Sequence, residues 1–282
     1  MTFDAIFQTL HDTLTAHDLD ASVSLTPAHD AFREFLALIE SGQVRAAAPD
    51  GNGVYQCDAR VKQAILFGFK LGHLVENEDS TFQFCDKHNL MPHLQNLIER
   101  KIRIVPGGTT VRRGAYLGSS VTIMPPAYVN IGAWVDHDTM IDSHALVGSC
   151  AQIGAHCHIS AGTQIGGVLE PIGALPVVVE DHAFVGGNCG IYEGTHLYPN
   201  VVIAAGTILT RATPVFDLVQ EKILRAQEGV LHIPEDAVVV PGARAIQSPF
   251  GRKLGLSAYT PLIIKYRDDK TQSSIELEPW LR

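Results

Sequence analysis

One carboxylate in the sequence is singled out by its position. Asp142 directly follows Ile141, at a place where the neighbouring segment holds a glycine, Gly148. A carboxylate at a turn can deprotonate an amine or hold its ammonium form. Aspartates at turns also cap backbone N–H groups, which is the more common use of such a residue. Glu170 and Glu193 allow the same two interpretations.

Positive charge is missing from the middle of the chain. No lysine or arginine occurs between Arg113 and Arg211, whereas seven acidic residues do. An anionic ligand of this segment must therefore be held by backbone N–H groups or by side chains from the flanks. Arginine suits bidentate capture of a carboxylate, and lysine suits a phosphate. Most flanking cations are expected to be solvated surface charges, and a few of them to contact ligand.

The elements that position these residues follow from an internal repeat with a period of six. This period fits neither the α-helix at 3.6 residues nor the simple strand at 2. A small residue stands four places after most of the repeating aliphatic residues. The aliphatic positions are Ile141, Val147, Ile153, Ile159, Ile165, Val179, Val185, Ile191, Leu197, Ile203 and Leu209. The pattern predicts a triangular parallel β-helix in which each hexad makes one short strand and one corner. An all-β sandwich with chance spacing is the alternative.

The repeat is interrupted at several places, so the register of the hexads before and after each interruption has to be assigned. We interpret the interval from Ile165 to Val179 as two hexads plus a two-residue slip, with a protruding loop between them. Upstream, we place one slip before Ile131 and another before Ile141. These assignments decide which residues share a face of the prism.

Thirteen histidines raise the question of a metal site. His144, His156 and His182 all stand at the fourth place of their hexads. Under the register above, His144 and His182 share a face but lie two coils apart, about 9.6 Å at the strand spacing, too far to bind one ion. The H-x-x-x-x-H spacing of zinc-binding β-helix enzymes is also missing. No metal site is predicted.

The chain divides into three predicted parts. Residues 1–104 show helical spacing and form an α-rich domain; residues 105–245 form the β-helix; residues 246–282 form a tail with a strand at Pro261–Tyr266. Loops are expected near 167–178 and 210–232, the second holding a short helix or ordered arm. Five cysteines form no C-x-x-C pair, and Cys157 and Cys189 occupy small inward positions, so free thiols are expected.

Composition excludes several classes of function. The 282 residues carry a net charge of −9, which argues against sequence-independent binding of nucleic acid. No apolar run approaches 18 residues, and the N-terminus lacks the features of a secretory signal. We therefore expect a cytoplasmic protein without membrane or nucleic-acid partners.

Several motifs resemble one enzyme family. The runs VNIGAWVDHDTMIDSHALVGSCAQIG, IGGVLEP and RIVPGGTTVRRGAYLG, with LIIKYRD near the end, are similar to those of the tetrahydrodipicolinate N-succinyltransferases. The resemblance spans essentially the whole chain. It implies a left-handed parallel β-helix that forms a homotrimer with active sites between subunits. It also implies transfer of the succinyl group of succinyl-CoA, a co-substrate, to the amine of 2-amino-6-oxopimelate in diaminopimelate and lysine synthesis. No tightly bound cofactor is implied.

The resemblance also suggests roles for individual residues. Arg103 would bind an acceptor carboxylate, and Asp142 would bind or deprotonate the acceptor amine, which favours the catalytic interpretation of that residue. The Gly167 N–H is a candidate oxyanion donor, since the tetrahedral intermediate needs one. Other candidates are His144 and Glu193 for the acceptor, Ala204, Ala205 and Gly206 for the pantetheine arm, and Lys265 and Arg252 for the CoA phosphates.

Three positions depart from the family pattern. Asn188 and Gly190 stand where some relatives have arginine and glutamate, and His144 stands where many have tryptophan. These changes leave acetyl transfer to the same or a related amine as an alternative activity. A non-catalytic trimeric scaffold is the alternative outside enzymes.

Overall fold

The structure is a computed structural model that describes residues 1–77, 83–92 and 94–267. Its α-helices are α1 Phe3–Leu19, α2 Thr26–Glu40, α3 Ala59–Leu71 and α4 Pro249–Lys253, with a 3₁₀ turn at His88–Leu90. Two antiparallel pairs accompany the first three helices: β1 Ala47–Pro49 with β2 Tyr55–Cys57, and β3 Leu74–Asn77 with β4 Phe84–Lys87. None of the described helices is long and apolar enough to cross a membrane.

The helices form where their caps and apolar spacing predict them. The Thr2 side chain accepts a hydrogen bond from the Ala5 N–H at the start of α1, and Asp58 caps α3 in the same way. Ile6, Leu10 and Leu14 form one buried stripe of α1. They pack with α2 and α3 into a hydrophobic cluster of their own.

The remaining strands run from Arg103 to Tyr266. They are β5 Arg103–Ile104, β6 Thr110–Val111, β7 Tyr116–Leu117, β8 Thr122–Ile123, β9 Tyr128–Val129, β10 Trp134–Val135, β11 Met140–Ile141, β12 Leu146–Val147, β13 Gln152–Ile153, β14 His158–Ile159, β15 Gln164–Ile165, β16 Val178–Val179, β17 Phe184–Val185, β18 Gly190–Ile191, β19 Thr195–Leu197, β20 Val202–Ile203, β21 Ile208–Leu209, β22 Val215–Asp217, β23 Lys222–Leu224, β24 Leu231–Ile233, β25 Ala237–Ala245 and β26 Ser257–Tyr266.

These strands build three parallel sheets, the faces of a triangular prism. Face 1 contains β5, β8, β11, β14, β17, β20 and β25; face 2 contains β6, β9, β12, β15, β18 and β21; face 3 contains β7, β10, β13, β16, β19 and β24. Ile141 pairs with Ile159 one coil later, and both are fully buried on the prism axis. The small inward residues Cys157 and Cys189 lie in the same core. The predicted parallel β-helix is confirmed.

The register differs from the sequence interpretation at two places. Val129 and Val135 continue the hexads from Ile123 to Ile141 without a slip, and both are fully buried in the prism. Ile131 instead points outward into the helical cluster. From β15 on face 2 the chain passes directly to β16 on face 3, so the interval 166–177 is one enlarged corner and not two hexads. Both predictions of register were wrong because any branched aliphatic residue matches the repeat.

The helical part lies on face 3. Arg45 places its guanidinium 4.1 Å over the Trp134 ring and donates from Nε to Gln152 Oε1 at 2.8 Å. Tyr55 meets the His196 ring edge-on at 5.3 Å. Faces 1 and 2 are left for other contacts.

The end of the prism carries two antiparallel hairpins. The segment within 210–232 was expected to hold a short helix or an ordered arm, and it forms β22 and β23, an antiparallel hairpin paired from Val215 to Leu224. The predicted strand Pro261–Tyr266 is confirmed as part of β26, which pairs with β25. Residues 268–282, the rest of the predicted tail, lie outside the described residues.

Candidate active site

The corner between faces 1 and 2, here called corner 1–2, carries one group of candidate residues. Asp142 follows β11, and His144 stands two residues on with a positive φ of 62°. Ala204, Ala205 and Gly206 form the same corner three coils further along, after β20. Small side chains there leave the corner backbone accessible.

The contacts of Asp142 bear on both roles that were considered for it. Its Oδ1 accepts the Ser143 N–H at 2.7 Å, so it does cap the corner. Its Oδ2 lies 3.8 Å from His158 Nε2, and about a third of the side chain is exposed. A carboxylate held on one oxygen and accessible on the other can receive a proton from a bound amine.

His158 is the neighbour that sequence reasoning missed. It lies on β14, paired with Met140 of the preceding coil, and its ring meets Phe184 edge-on at 5.1 Å. The side chain is 14% exposed. Its signal was available, because a residue eighteen positions after Met140 must lie beside the strand that leads to Asp142.

Gly167 and Glu193 lie at a different corner, between faces 2 and 3, here called corner 2–3. A Cβ on Gly148 would stand 2.2 Å from the Gly167 nitrogen, so the two glycines allow adjacent coils to approach closely. The Gly167 N–H makes no hydrogen bond to a described residue. Glu193 faces Arg211 at 3.6 Å, both side chains being more than half exposed.

One chain cannot bring these two corners together. Asp142 and Gly148 are the equivalent residues of neighbouring corners, one flat side of the prism apart. Six extended residues span about 20 Å at a rise of roughly 3.3 Å each. Gly167 stacks on Gly148, so it lies at this distance from Asp142 and outside hydrogen-bond reach.

The cationic candidates are also spread out. Arg103 is exposed on β5, two strand spacings, or about 9.6 Å, below Met140 on face 1. Lys265 pairs with Val238 on β25, directly above β20. Arg252 lies in α4, beyond the far end of the same hairpin, and that end is about 26 Å from Lys265 by strand length. The structure therefore does not bring Lys265 and Arg252 into one cluster within a chain.

Comparison with known proteins shows the family of the chain. A family model described as tetrahydrodipicolinate N-succinyltransferase N-terminal matches residues 7–71, and one described as hexapeptide repeat of succinyl-transferase matches residues 176–211. A protein of Afipia carboxidovorans, named 2,3,4,5-tetrahydropyridine-2,6-dicarboxylate N-succinyltransferase, is 34% identical over 100% of both chains. The chain belongs to this family. Relatives of the same name occur in Rhodopseudomonas palustris, 33% identical over 100% of both chains, and in Wolbachia pipientis, 36% identical over 90% of this chain and 89% of that one.

A solved structure is a more distant match to this member of the tetrahydrodipicolinate N-succinyltransferase family. It is a Campylobacter jejuni protein, titled as a tetrahydropyridine-2-carboxylate N-succinyltransferase, with 17% identity and a TM-score of 0.47. The match covers 88% of this chain and 64% of that chain. The family assignment does not depend on it.

The surroundings of Gly190 leave no room for a side chain. A Cβ on Gly190 would lie 2.4 Å from the Tyr192 ring, which therefore covers the place of a side chain at 190. Asn188 stands at corner 1–2 with a positive φ of 56°, and its Oδ1 would lie 2.5 Å from a Cβ on Gly162. The chain thus presents an exposed neutral amide at Asn188 and no side chain at Gly190.

The enlarged corner that contains Gly167 is held by the helical part. Lys62 of α3 is fully buried, and its Nζ donates to the Ala174 carbonyl at 2.6 Å. Burial lowers the pKa of the Lys62 ammonium. The Cys57 thiol lies 3.3 Å from the Ile172 carbonyl. These contacts give the 166–177 segment a defined position on the prism.

The histidines are arranged differently from the prediction. His144 lies at corner 1–2, whereas His156 and His182 lie at the corner between faces 3 and 1, here called corner 3–1. The His156 and His182 rings stack 4.9 Å apart, one coil after the other. The inference that His144 and His182 share a face was wrong, because the enlarged corner at 166–177 adds no extra hexad.

Proposed function

We propose that the chain transfers the succinyl group of succinyl-CoA to the amine of 2-amino-6-oxopimelate, the ring-opened form of tetrahydrodipicolinate. The amine nitrogen attacks the thioester carbonyl, forming the N–C bond and a tetrahedral oxyanion. Collapse of this intermediate breaks the C–S bond and releases CoA. The amine must be neutral to attack, so a base has to take its proton.

Asp142 is the proposed acceptor of that proton. Its Oδ1 is held by the Ser143 N–H, and its Oδ2 remains accessible beside His158. This geometry is the observation that carries the proposal. Arg103 lies lower on the same face, where it would bind a carboxylate of the acceptor while the amine lies at Asp142. His144, exposed at the same corner, would border the acceptor.

The thioester side of the site is proposed to lie between two copies. In the proposed trimer, face 2 of each prism lies against a common threefold axis. Corner 1–2 of one copy then lies against corner 2–3 of the next copy. The Gly167 N–H, free of hydrogen bonds to the described residues, would then donate to the oxyanion, and Glu193 would border the acceptor. A homotrimer follows from this arrangement, because each site needs residues from both corners.

Succinyl-CoA is proposed to bind along corner 1–2. Ala204, Ala205 and Gly206 leave room for the pantetheine arm to approach the backbone, and Lys265 lies above them beside Val238. Lys265 suits a CoA phosphate as a point charge. Arg252, at the distant end of the hairpin, would reach a phosphate only from a neighbouring copy.

The deciding experiment measures free thiol released from succinyl-CoA with and without the acceptor. Acceptor-dependent release that exceeds release from acetyl-CoA supports the proposal, and equal or faster use of acetyl-CoA contradicts it. Asp142→Asn is expected to lower the rate roughly 100-fold or more, the contribution usual for a general base. Asp136→Asn is the matched control, since Asp136 caps the His137 N–H at 2.7 Å in the same manner on another corner.

The scaffold alternative makes a different prediction for ligand binding. A ligand at 100 times its Kd stabilises a folded protein by about 2.7 kcal/mol. A melting temperature unchanged by CoA thioesters would support a non-catalytic scaffold. Stabilisation without acceptor-dependent thiol release would instead indicate a different acceptor amine.

A further inference from the structure

Corner 3–1 brings together metal-binding side chains from two adjacent coils. His137 Nδ1 lies 2.9 Å from Asp138 Oδ2, and the His137 ring meets the His156 ring edge-on, with centroids 4.9 Å apart. One ligand atom from each of His137, Asp138 and His156 lies within 4.8 Å of the others. None of the three has a role in the proposed acyl transfer.

We propose that His137, Asp138 and His156 bind one divalent transition-metal ion of the zinc class. Two imidazole nitrogens and one carboxylate oxygen are the donor set that Zn²⁺ commonly takes, at about 2.0–2.2 Å from each. Two ligands of one ion at these lengths lie roughly 3–3.5 Å apart, close to the observed His137–Asp138 distance. The ligand nitrogen of His156, the third ligand, lies within 4.8 Å of the other two ligand atoms.

The backbone of the coils holds these ligands in place. Asp138 and His156 occupy equivalent corner positions, each with a φ of 55°, and the His156 N–H donates to the His137 carbonyl at 3.0 Å. Histidine and aspartate are among the non-glycine residues that tolerate this conformation. The ladder therefore sets the spacing of the ligands before any ion binds.

The surroundings favour a cation at this level of the prism. The Asp136 carboxylate accepts the His137 N–H, and the Asp181 carboxylate accepts the Ala155 N–H. Both carboxylates add negative charge near the three proposed ligands. His182 stacks on His156 with ring planes 6° apart and supports the ring from the far side. Arg267 lies one coil further on, donating to the His182 and Asn200 carbonyls.

The proposed metal site is separate from the acyl-transfer site. It lies at corner 3–1, and its ligand Asp138 is four residues before Asp142 in the same coil, at most about 14 Å away by extended-chain length. An ion there cross-links two coils, so it is expected to stabilise the fold without changing the chemical step. This inference does not depend on the proposed function.

The test is calorimetric titration of chelator-treated protein with ZnCl₂, with MgCl₂ as the hard-cation comparison. One Zn²⁺ per chain and no comparable Mg²⁺ binding are expected, together with a rise in melting temperature. His156→Asn should weaken Zn²⁺ binding at least about tenfold. The variant should fold, since Asn200 holds the same corner position with a φ of 61°. His144→Asn, a corner histidine elsewhere, is the matched control and should leave Zn²⁺ affinity unchanged.

Three outcomes would overturn the site. The first is Zn²⁺ binding that survives both His156→Asn and Asp138→Asn. The second is Zn²⁺ binding that is lost in His88→Asn and not in His156→Asn. In the native chain the His88 ring stacks on the His73 ring at 4.1 Å in the helical part. No zinc binding by the wild-type chain contradicts the proposal directly.

Discussion

His158 Nε2 lies 3.8 Å from Asp142 Oδ2, joining two adjacent coils of face 1 at the proposed acceptor site. This distance is longer than a hydrogen bond, so the contact between the two groups is electrostatic. We propose that His158 positions the carboxylate that takes the proton from the acceptor amine, without itself touching the substrate.

Replacing His158 by glutamine should lower kcat about tenfold and change KM little, because orientation of the base matters mainly in the transition state. Steady-state kinetics with both substrates measures this, with circular dichroism as the check on folding. His11→Gln, an exposed histidine of α1, should leave both constants unchanged. A rise in KM at constant kcat would instead place His158 in ground-state binding.

Two inactive variants should restore each other if the site lies between copies. Asp142→Asn and Glu193→Gln alter different corners, so a mixed trimer contains some interfaces with both native residues. Random mixing predicts recovery of about a quarter of wild-type activity. The measurement is thiol release after denaturation and co-refolding of the two variants in equal amounts. Activity that stays at the level of the separate variants would mean that both residues serve one chain, and full activity of Glu193→Gln alone would remove Glu193 from the site.

Lys62 should control the order of the enlarged corner at 166–177. Lys62→Met removes the hydrogen bond to the Ala174 carbonyl while keeping the buried volume. Hydrogen exchange in 166–177 should become about tenfold faster, and acyl transfer should slow because Gly167 is less well placed. Lys70→Met on the same helix, which removes only a surface ion pair with Asp18, is the control. Unchanged exchange in Lys62→Met would show that other contacts hold the corner.

The thiols should differ sharply in reactivity. Burial raises the pKa of Cys150 and of Cys157 to about 12, and both are buried. At pH 8 their thiolate fraction is then on the order of one in ten thousand, and the thiolate is the reactive form. Iodoacetamide should label exposed Cys85 first and leave these two unlabelled until the protein unfolds. Peptide mass spectrometry reads the order, and labelling of Cys157 in the native state would contradict a closed prism.

Tyr266 should make stability fall at high pH. Its hydroxyl donates to Asp217 Oδ2 at 2.7 Å, and burial, with this hydrogen bond next in importance, raises its pKa. Above the unfolded pKa near 10, the unfolded chain releases this proton and the folded chain keeps it, so stability declines as pH rises. Denaturant unfolding of wild type and Tyr266→Phe at pH 8 and pH 10.5 tests this. The difference between the two proteins should shrink at the higher pH, and a constant difference would refute it.

The hexad pattern allowed much of the fold to be predicted. Every inward aliphatic residue from Ile141 to Leu209 is buried on the prism axis, since a period of six matches only one strand and one corner. The apolar stripes of α1, α2 and α3, and the cap of α3 at Asp58, were also predictable from the sequence. Asp142 was identified from its place directly after Ile141, with support from the family resemblance.

The face on which a residue lies was settled only by the tertiary structure. The interval from Ile165 to Val179 is compatible in sequence with one hexad or two, and the pairing of Val178 with Gln152 decides for one. That pairing moves His182 beside His156 and separates it from His144. His158 and the separation of Asp142 from Gly167 were open to prediction, because the hexads from Ile141 to Ile165 are unbroken. Hydrophobic periodicity specifies which side chains point inward, whereas hydrogen bonds between coils, formed across eighteen or more residues, specify which corners align.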